Sequence, residues 1–135
     1  MSVQDLAETA ALVSEWRDLL ARHAATACAL DRELGEHFGL CMSDFEVLER
    51  LAEAADLLRV QELAEKVHLS QSALSRLIGR LEKAGLVERT MCDLDRRGIY
   101  VRLAPLGQER YEAARPLHRE VLERMLLKRQ QPSCG

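Results

Sequence analysis

The chain has 135 residues, of which 47% are apolar, 30% are charged and only 4% are aromatic. This length fits one domain over residues 1–135, and its many Ala, Leu, Glu and Arg residues favour helices over sheets. No apolar run approaches the ~20 residues that span a bilayer, and the first residues are acidic rather than basic. We therefore expect a cytoplasmic protein without a signal peptide and without a membrane partner.

The formal net charge of −3 is distributed unevenly along the chain. Residues 59–103 contain nine Lys and Arg against six Asp and Glu, so this middle third carries +3 while the remainder carries −6. A basic segment between acidic flanks is typical of a phosphate-facing module on an acidic scaffold. Segments of this length often gain a few charges by chance, so the case for nucleic-acid binding depends on motifs within the segment.

A long amphipathic helix is predicted at the start of the chain. Apolar residues recur at steps of three and four from Leu6 to Phe38, no proline interrupts them, and Gly39 suits the C-cap. A second helix follows, in which Ser43 or Asp44 is the expected N-cap. Glu46 would complete a capping box with Ser43.

A third and a fourth helix, joined by a tight turn, are predicted next, and a hairpin follows them. Ser70 is suited to N-cap the fourth helix, which ends at Gly85. Residues 86–90 and 99–103 are rich in strand-forming side chains, and a charged loop is expected between them at residues 91–98. These elements form the pattern of a helix-turn-helix followed by a β-hairpin.

The last helix is predicted to begin at Pro105, a residue that suits a first helical turn. The domain therefore divides into long terminal helices at residues 3–39 and 105–130 and a central module at residues 43–103. The apolar faces of the terminal helices exceed what one chain of this size covers, so we expect a symmetric partner copy to bury them.

The fourth helix has one apolar face and one polar face. Its apolar residues are spaced to pack inward, and its polar residues have the chemistry of major-groove contacts, since Gln pairs with adenine and Arg with guanine. The alternative is an ordinary solvated helix face, because polar faces of this kind are common. The candidate DNA-binding residues on this helix are Ser70, Gln71, Ser72, Ser75, Arg76 and Arg80.

The hairpin supports the DNA-binding interpretation. Asp95, Arg96 and Arg97 at its tip would place a guanidinium, held by a neighbouring carboxylate, beside the electronegative minor groove. The alternative is a charged turn in solvent. A basic hairpin directly after a helix-turn-helix is much less common by chance than either element alone.

Two stretches of the sequence resemble the MarR family of bacterial transcription regulators. The first is residues 63–89, LAEKVHLSQSALSRLIGRLEKAGLVER, and the second is Asp95-Arg96-Arg97-Gly98, placed ahead of Val101-Arg102-Leu103 and Gly107. The resemblance covers nearly the whole chain in the order and lengths of the helices. It implies a mainly α fold with a small β-hairpin wing, a winged helix-turn-helix that dimerises through long N- and C-terminal helices.

The resemblance also implies a function. Members of the family are homodimers that bind palindromic double-stranded DNA operators, usually as repressors that an effector releases. Residues 70–80 match the major-groove segment of the family, and Asp95 and Arg97 match its minor-groove residues. The chain departs from the family pattern at Ala104, where a Thr usually caps the last helix, and in its short C-terminal part.

Effector binding is open at this level, with three possibilities. A small lipophilic or phenolic ligand would bind near Trp16, His37 or Phe38, although ordinary core and interface packing is the favoured interpretation of each of these residues. Thiol oxidation would act through Cys28, Cys41 or Cys92, of which Cys92 in the wing is expected to be exposed. None of the three matches the reactive cysteine of the family's peroxide sensors.

A metal site would have to draw on His23, His37, Cys41 and His118, which no ligand spacing brings together, so we expect neither a metal nor a cofactor. His23 and His118 are more simply interpreted as solvated or interfacial.

Two other classes of function are a protein-binding module and an enzyme. A winged helix that binds a protein partner is the alternative to DNA binding, and an enzyme is not expected because no catalytic motif is present.

Overall fold

The computed structural model describes residues 2–54, 57–92 and 95–127, with the side chains of residues 92 and 95–97 left out. Three antiparallel strands form a sheet in the order β1-β3-β2, and helices make up the rest of the described fold. The predicted fold, mainly α with a small β-hairpin wing, is confirmed. In chain order the elements are α1 (Val3–Phe38), α2 (Met42–Ala54), β1 (Leu58–Arg59), α3 (Val60–Val67), α4 (Gln71–Lys83), β2 (Val87–Cys92), β3 (Asp95–Leu103), α5 (Pro105–Leu122) and a π-helical turn (Glu123–Leu127).

Helix α1 has the extent that the sequence predicts, and both of its ends are capped. Ser2 and Asp5 form a capping box at the start, and Gly39 ends the helix in the left-handed region at φ 67°. Its buried residues all lie in the C-terminal part of the helix, beginning at Thr26, whereas residues 2–21 are exposed along their whole length. None of the described helices is long and apolar enough to cross a membrane.

Helix α2 begins two residues earlier than a cap at Ser43 predicts, and it uses a different cap. Its N-cap is Cys41, whose carbonyl accepts the first helical hydrogen bond from Phe45 N at 3.1 Å. The sulfur of Cys41 accepts from Asp44 N at 3.4 Å, and an Asp44 carboxylate oxygen accepts from Cys41 N at 3.0 Å. The predicted cap at Ser43 or Asp44 is therefore wrong, because a thiol occupies the place usually taken by a hydroxyl oxygen.

The core is organised around α2. Helices α1, α3 and α5 and strand β3 all pack against α2, and its apolar residues are among the most deeply buried of the chain. Burial of side chains of this size stabilises the fold by roughly 1.5–3 kcal/mol each. The residues of α2 that are at most 2% exposed are Phe45, Val47, Leu48 and Leu51, and those of α4 are Leu74, Ile78 and Leu81.

The wing is longer than the sequence predicts. Strand β2 extends to Cys92 and β3 begins at Asp95, with these two residues paired across a register irregularity next to Met91. The lack of apolar alternation in residues 91–98 predicts a loop there. A solvated hairpin needs no buried face, however, so ladder hydrogen bonding continues into this polar segment.

Helix α5 begins at Pro105 as predicted, and its N-cap Ala104 makes no side-chain hydrogen bond. It is α-helical to Leu122 and then continues as the π-helical turn. Residues 128–130, which the sequence also assigns to this helix, lie outside the described residues. Near its start, Gly107 is pressed against the backbone of Leu86.

A buried polar network joins α5 to α2. The Glu49 carboxylate accepts from the Tyr111 hydroxyl at 3.0 Å and from Arg119 Nη2 at 2.7 Å. Burial alone would raise the pKa of Glu49, but the hydrogen bonds from Arg119 and Tyr111 outweigh it and lower the pKa. The network therefore holds a charged carboxylate in place between the two helices.

His118 lies beside this network and is 4% exposed, which corrects the expectation of a solvated or interfacial side chain. Its ring stacks on Phe45 with centroids 4.1 Å apart, and Arg119 Nη1 lies 2.7 Å from its Nδ1. Because a guanidinium only donates, Nδ1 accepts and the ring is neutral. Burial and the neighbouring Arg119 charge, partly opposed by Glu49, lower the pKa of His118 to about 4.

Two glycine substitutions should have opposite effects on stability. A Cβ at Gly107 would lie 1.9 Å from the Leu86 carbonyl oxygen, so Gly107→Ala should lower the free energy of unfolding by about 2–4 kcal/mol. At the exposed helical Gly35 the nearest atom is 3.9 Å away, and Gly35→Ala should raise the free energy of unfolding by about 0.5–1 kcal/mol. Urea unfolding of both variants checks the pair, and equal effects would contradict the packing at α5.

His118 should make the stability depend on pH in one window. Between pH 6.5 and about 4 the unfolded chain binds a proton that the folded chain excludes, so stability falls as the pH is lowered. The expected loss is about 1–3 kcal/mol by urea unfolding. His118→Phe, which keeps a ring against Phe45, should remove this loss while leaving the acid sensitivity of the Glu49 network at lower pH. An unchanged slope in the variant would contradict the assignment.

Candidate nucleic-acid interface

The turn between α3 and α4 is tight and locally determined. Helix α3 ends at His68, which adopts the left-handed conformation at φ 58°, and Leu69 N donates to Ala64 O at 3.2 Å. Ser70 then starts α4, its hydroxyl accepting from Ala73 N at 3.2 Å as the sequence predicts. This is the arrangement of a helix-turn-helix, whose second helix is the one that enters a groove of DNA.

Helix α4 separates its buried and exposed faces as predicted. The buried face is Leu74, Leu77, Ile78 and Leu81, and it fixes the helix on the core. Residues 72, 75 and 76 are three and four apart, so the structure brings their side chains to one exposed face. The exposed candidates on α4 and its cap are Ser70, Gln71, Ser72, Ser75, Arg76 and Arg80.

The two arginines of α4 differ in their surroundings. Within the described part of the chain, Arg76 has no hydrogen bond or ion pair, so its guanidinium is available to a ligand. Arg80 Nη2 instead donates to Asp44 Oδ1 in a short ion pair, which raises the pKa of Arg80, and also lies 3.9 Å from Cys41 Sγ. The sequence predicts the same DNA-binding role for Arg76 and Arg80. In the described part of the structure, however, Arg76 has no partner, whereas Arg80 is paired with Asp44 of α2.

Arg89 lies next to this face, although the sequence does not mark it as a candidate. Its guanidinium pairs with Glu82 at 3.0 Å and reaches to 3.9 Å of the Cβ position of Gly79. A side chain from β2 therefore lies beside Gly79 on α4. Only the fold brings Arg89 against α4, since the two are separated by the turn after Gly85.

The backbone of Asp95, Arg96 and Arg97 belongs to β3, which places these residues at the far end of the wing. Their side chains lie outside the described part of the structure, so their minor-groove role stays a prediction. At the end of the hairpin away from its tip, Arg102 of β3 pairs with Glu88 of β2 at 2.9 Å.

The candidate ligand-binding residues are not brought together. Trp16 lines an open apolar groove of about 520 Å³ between α1 and the last turn. His37 and Phe38 lie on the same helix more than 20 residues later, roughly 30 Å away at 1.5 Å per residue. The other residues of the groove are Leu19, Leu20, Arg22, His23, Thr26 and Leu126.

The cysteines differ in exposure. Cys28 is exposed, whereas Cys41 is half-buried and burial raises the pKa of its thiol, which disfavours the reactive thiolate. The side chain of Cys92 lies outside the described residues. Residues 2–54, 57–92 and 95–127 contain no cluster of three metal-ligating side chains.

Comparison with known proteins agrees with this geometry. The sequence profile of the MarR family matches residues 38–98. AbsC, a MarR family transcriptional regulator from Streptomyces coelicolor, is 34% identical with a TM-score of 0.79, over 88% of this chain and 80% of that chain. The chain belongs to the MarR family. Sco3205, a MarR family regulator of the same organism solved in complex with DNA, is 31% identical with a TM-score of 0.80, over 87% of this chain and 74% of that chain.

Curated relatives of this MarR family member are also transcription regulators. The HTH-type transcriptional regulator YhjH of Bacillus subtilis (strain 168) is 28% identical over 97 residues, which are 72% of this chain and 55% of that protein. The chain thus spans about half the length of the curated relatives it matches. The predicted resemblance to the MarR family of transcription regulators is confirmed.

Arg76 should be essential for DNA affinity and selectivity. Arg76→Ala should weaken binding to a specific duplex by about 1–3 kcal/mol, because an exposed guanidinium that has no partner among the described residues would no longer make a bidentate contact to a base edge. Arg76→Lys is the matched variant, since it keeps the charge but lacks the planar fork. If Lys restores full affinity and selectivity, Arg76 contacts a phosphate rather than a base. Titration of specific and scrambled duplexes measures both quantities.

Proposed function

We propose that this MarR family protein is a homodimer that binds a palindromic DNA operator and represses transcription until an effector releases it. The observation that carries the proposal is the exposed polar face of α4, held by a buried apolar face and directly followed by the wing. In this arrangement α4 would lie in the major groove and the wing would reach the adjacent minor groove.

The relatives support the DNA-binding part of the proposal. Sco3205, which is 31% identical to this chain over 74% of its own length, was solved with DNA bound. The chemistry of α4 is compatible with the same role. Gln71 suits adenine, Arg76 suits guanine, and Ser72 and Ser75 suit either a base or a phosphate. In the wing, Asp95 would orient Arg97 for the minor groove, with Arg96 beside it.

The exposed part of α1 supports the homodimer. Residues 2–21 are exposed, yet they carry a series of large apolar side chains, among them Trp16 at 59% exposure. Exposed apolar patches of this extent mark interfaces. We assign residues 3–39 and 105–130 to dimerisation and residues 43–103 to DNA binding. The large apolar residues exposed on the terminal elements are Val3, Leu6, Leu12, Val13, Trp16, Leu19, Leu20, Leu106, Leu126 and Leu127.

Effector control would act where the terminal helices meet. The open apolar groove beside Trp16 suits a lipophilic molecule, and it lies in the region that a partner copy would enclose. His37 and Phe38 would belong to a separate site, since they lie at the other end of α1. Thiol control through Cys41 is disfavoured by the raised pKa of its thiol.

The proposed function is tested by selecting ligands from a library of randomised duplexes of about 30 base pairs, long enough for two half-sites one turn apart. Recovery of a palindromic sequence whose affinity falls steeply with salt is the expected result, since each phosphate contact releases counterions. Absence of salt-dependent binding to any duplex would contradict the proposal and favour a winged helix that binds a protein partner.

The dimer should depend on the exposed apolar face of α1. Trp16→Glu should shift the protein from dimer to monomer at micromolar concentration, because a carboxylate would be buried in the interface. Ser14→Glu adds the same charge on roughly the opposite side of the helix and should leave the dimer intact. Light scattering measures both variants, and a monomeric wild-type protein would contradict the proposed interface.

A further inference from the structure

We infer that Arg80 is a positioning residue, which fixes the recognition helix α4 on α2 through the buried carboxylate of Asp44 instead of contacting DNA. The inference rests on the proposed function of α4. It gives the two arginines of this helix different roles, since Arg76 has no partner in the described part of the chain whereas Arg80 is paired with Asp44.

The geometry shows that Asp44 is fully engaged. Its side chain is 7% exposed, compared with 59% for Arg80, so the carboxylate is anchored in the protein and the guanidinium reaches over to it. One carboxylate oxygen accepts from Arg80 Nη2, and the other accepts from Cys41 N at 3.0 Å. The contact thus joins the C-terminal half of α4 to the first turn of α2.

The cost of breaking the contact explains why Arg80 stays with Asp44. A buried carboxylate that loses its cation is strongly destabilising, because the remaining charge has neither water nor a counter-ion. Moving the Arg80 guanidinium to a DNA phosphate would leave Asp44 in that state. Arg76, one turn earlier on the same helix, reaches a phosphate or a base without any such loss.

Cys41 connects this contact to the cap of α2. Its sulfur accepts from Asp44 N at 3.4 Å and lies 3.9 Å from Arg80 Nη2. The same carboxylate therefore closes the capping box of α2 and holds Arg80. The capping box holds the first turn of α2 in one geometry, so Asp44 is a fixed anchor for Arg80. An anchored Arg80 would in turn restrict the angle of α4.

The test compares Arg80→Ala, Asp44→Asn and the double variant on the selected duplex across a salt series. Arg80→Ala should weaken binding about tenfold, a size usual for residues in one ion-pair network, while the slope of log affinity against log salt stays unchanged. If Arg80 instead bound a phosphate, its removal would reduce the slope by about 0.9.

Asp44→Asn gives the sharper result, because the two interpretations predict opposite signs. The substitution removes a negative charge and keeps an acceptor for Cys41 N. If Arg80 contacts DNA, binding should become tighter, because the protein is less negative and Arg80 is released onto a phosphate. Positioning by the ion pair predicts weaker binding, with the double variant no weaker than Arg80→Ala.

Arg50→Ala is the matched control for the removal of one positive charge. Arg50 pairs only with Glu46 and Glu53 of its own helix among the described residues, so its removal should leave affinity and slope nearly unchanged. Thermal unfolding checks that each variant is folded, and Arg80→Gln replaces Arg80→Ala if that variant is unfolded. Because its amide still donates to Asp44, positioning then predicts nearly unchanged affinity and slope, whereas a phosphate contact predicts a slope reduced by about 0.9.

The outcomes separate this inference from the proposed function. A wild-type protein that binds no duplex would overturn both. A wild-type protein that binds, with a reduced slope in Arg80→Ala or tighter binding in Asp44→Asn, would overturn the positioning role alone and return Arg80 to the contact surface.

Discussion

Two buried carboxylates on α2 are each paired with an arginine from another helix. Asp44 at the start of α2 pairs with Arg80 of the recognition helix, and Glu49 in its middle pairs with Arg119 of α5. Between them Phe45 packs in the core and stacks on His118. Helix α2 is therefore joined through buried carboxylates to both α4 and α5.

This arrangement gives the fold its directional specificity. Apolar packing alone tolerates small rotations of one helix on another, whereas a buried carboxylate is satisfied only when its donors are in place. The Glu49 network links α5 to α2, and the Asp44 contact links the C-terminal half of α4 to the start of α2. In a dimer built on the terminal helices, the separation of the two recognition helices would follow from these two contacts. A ligand or a substitution that alters either contact would change that separation.

The sequence was sufficient to predict the helices and the exposed face of α4, because period, caps and breakers are local signals. It was not sufficient for features that depend on tertiary contacts. Nothing local indicates that Asp44 meets Arg80, that Arg89 lies beside Gly79, or that His118 is buried. The Cys41 cap could not be predicted because oxygen-bearing residues stand next to it, and the wing was predicted too short because solvated strands lack apolar alternation.

The proposed dimer would present two copies of α4 to successive turns of one DNA face. The most direct measurement is methylation interference on the selected duplex, which reports contacts in the major groove base by base. Two symmetric clusters of interference about 10 base pairs apart, centre to centre, are the expected result. A single cluster, clusters without symmetry, or interference confined to the minor groove would contradict the claim.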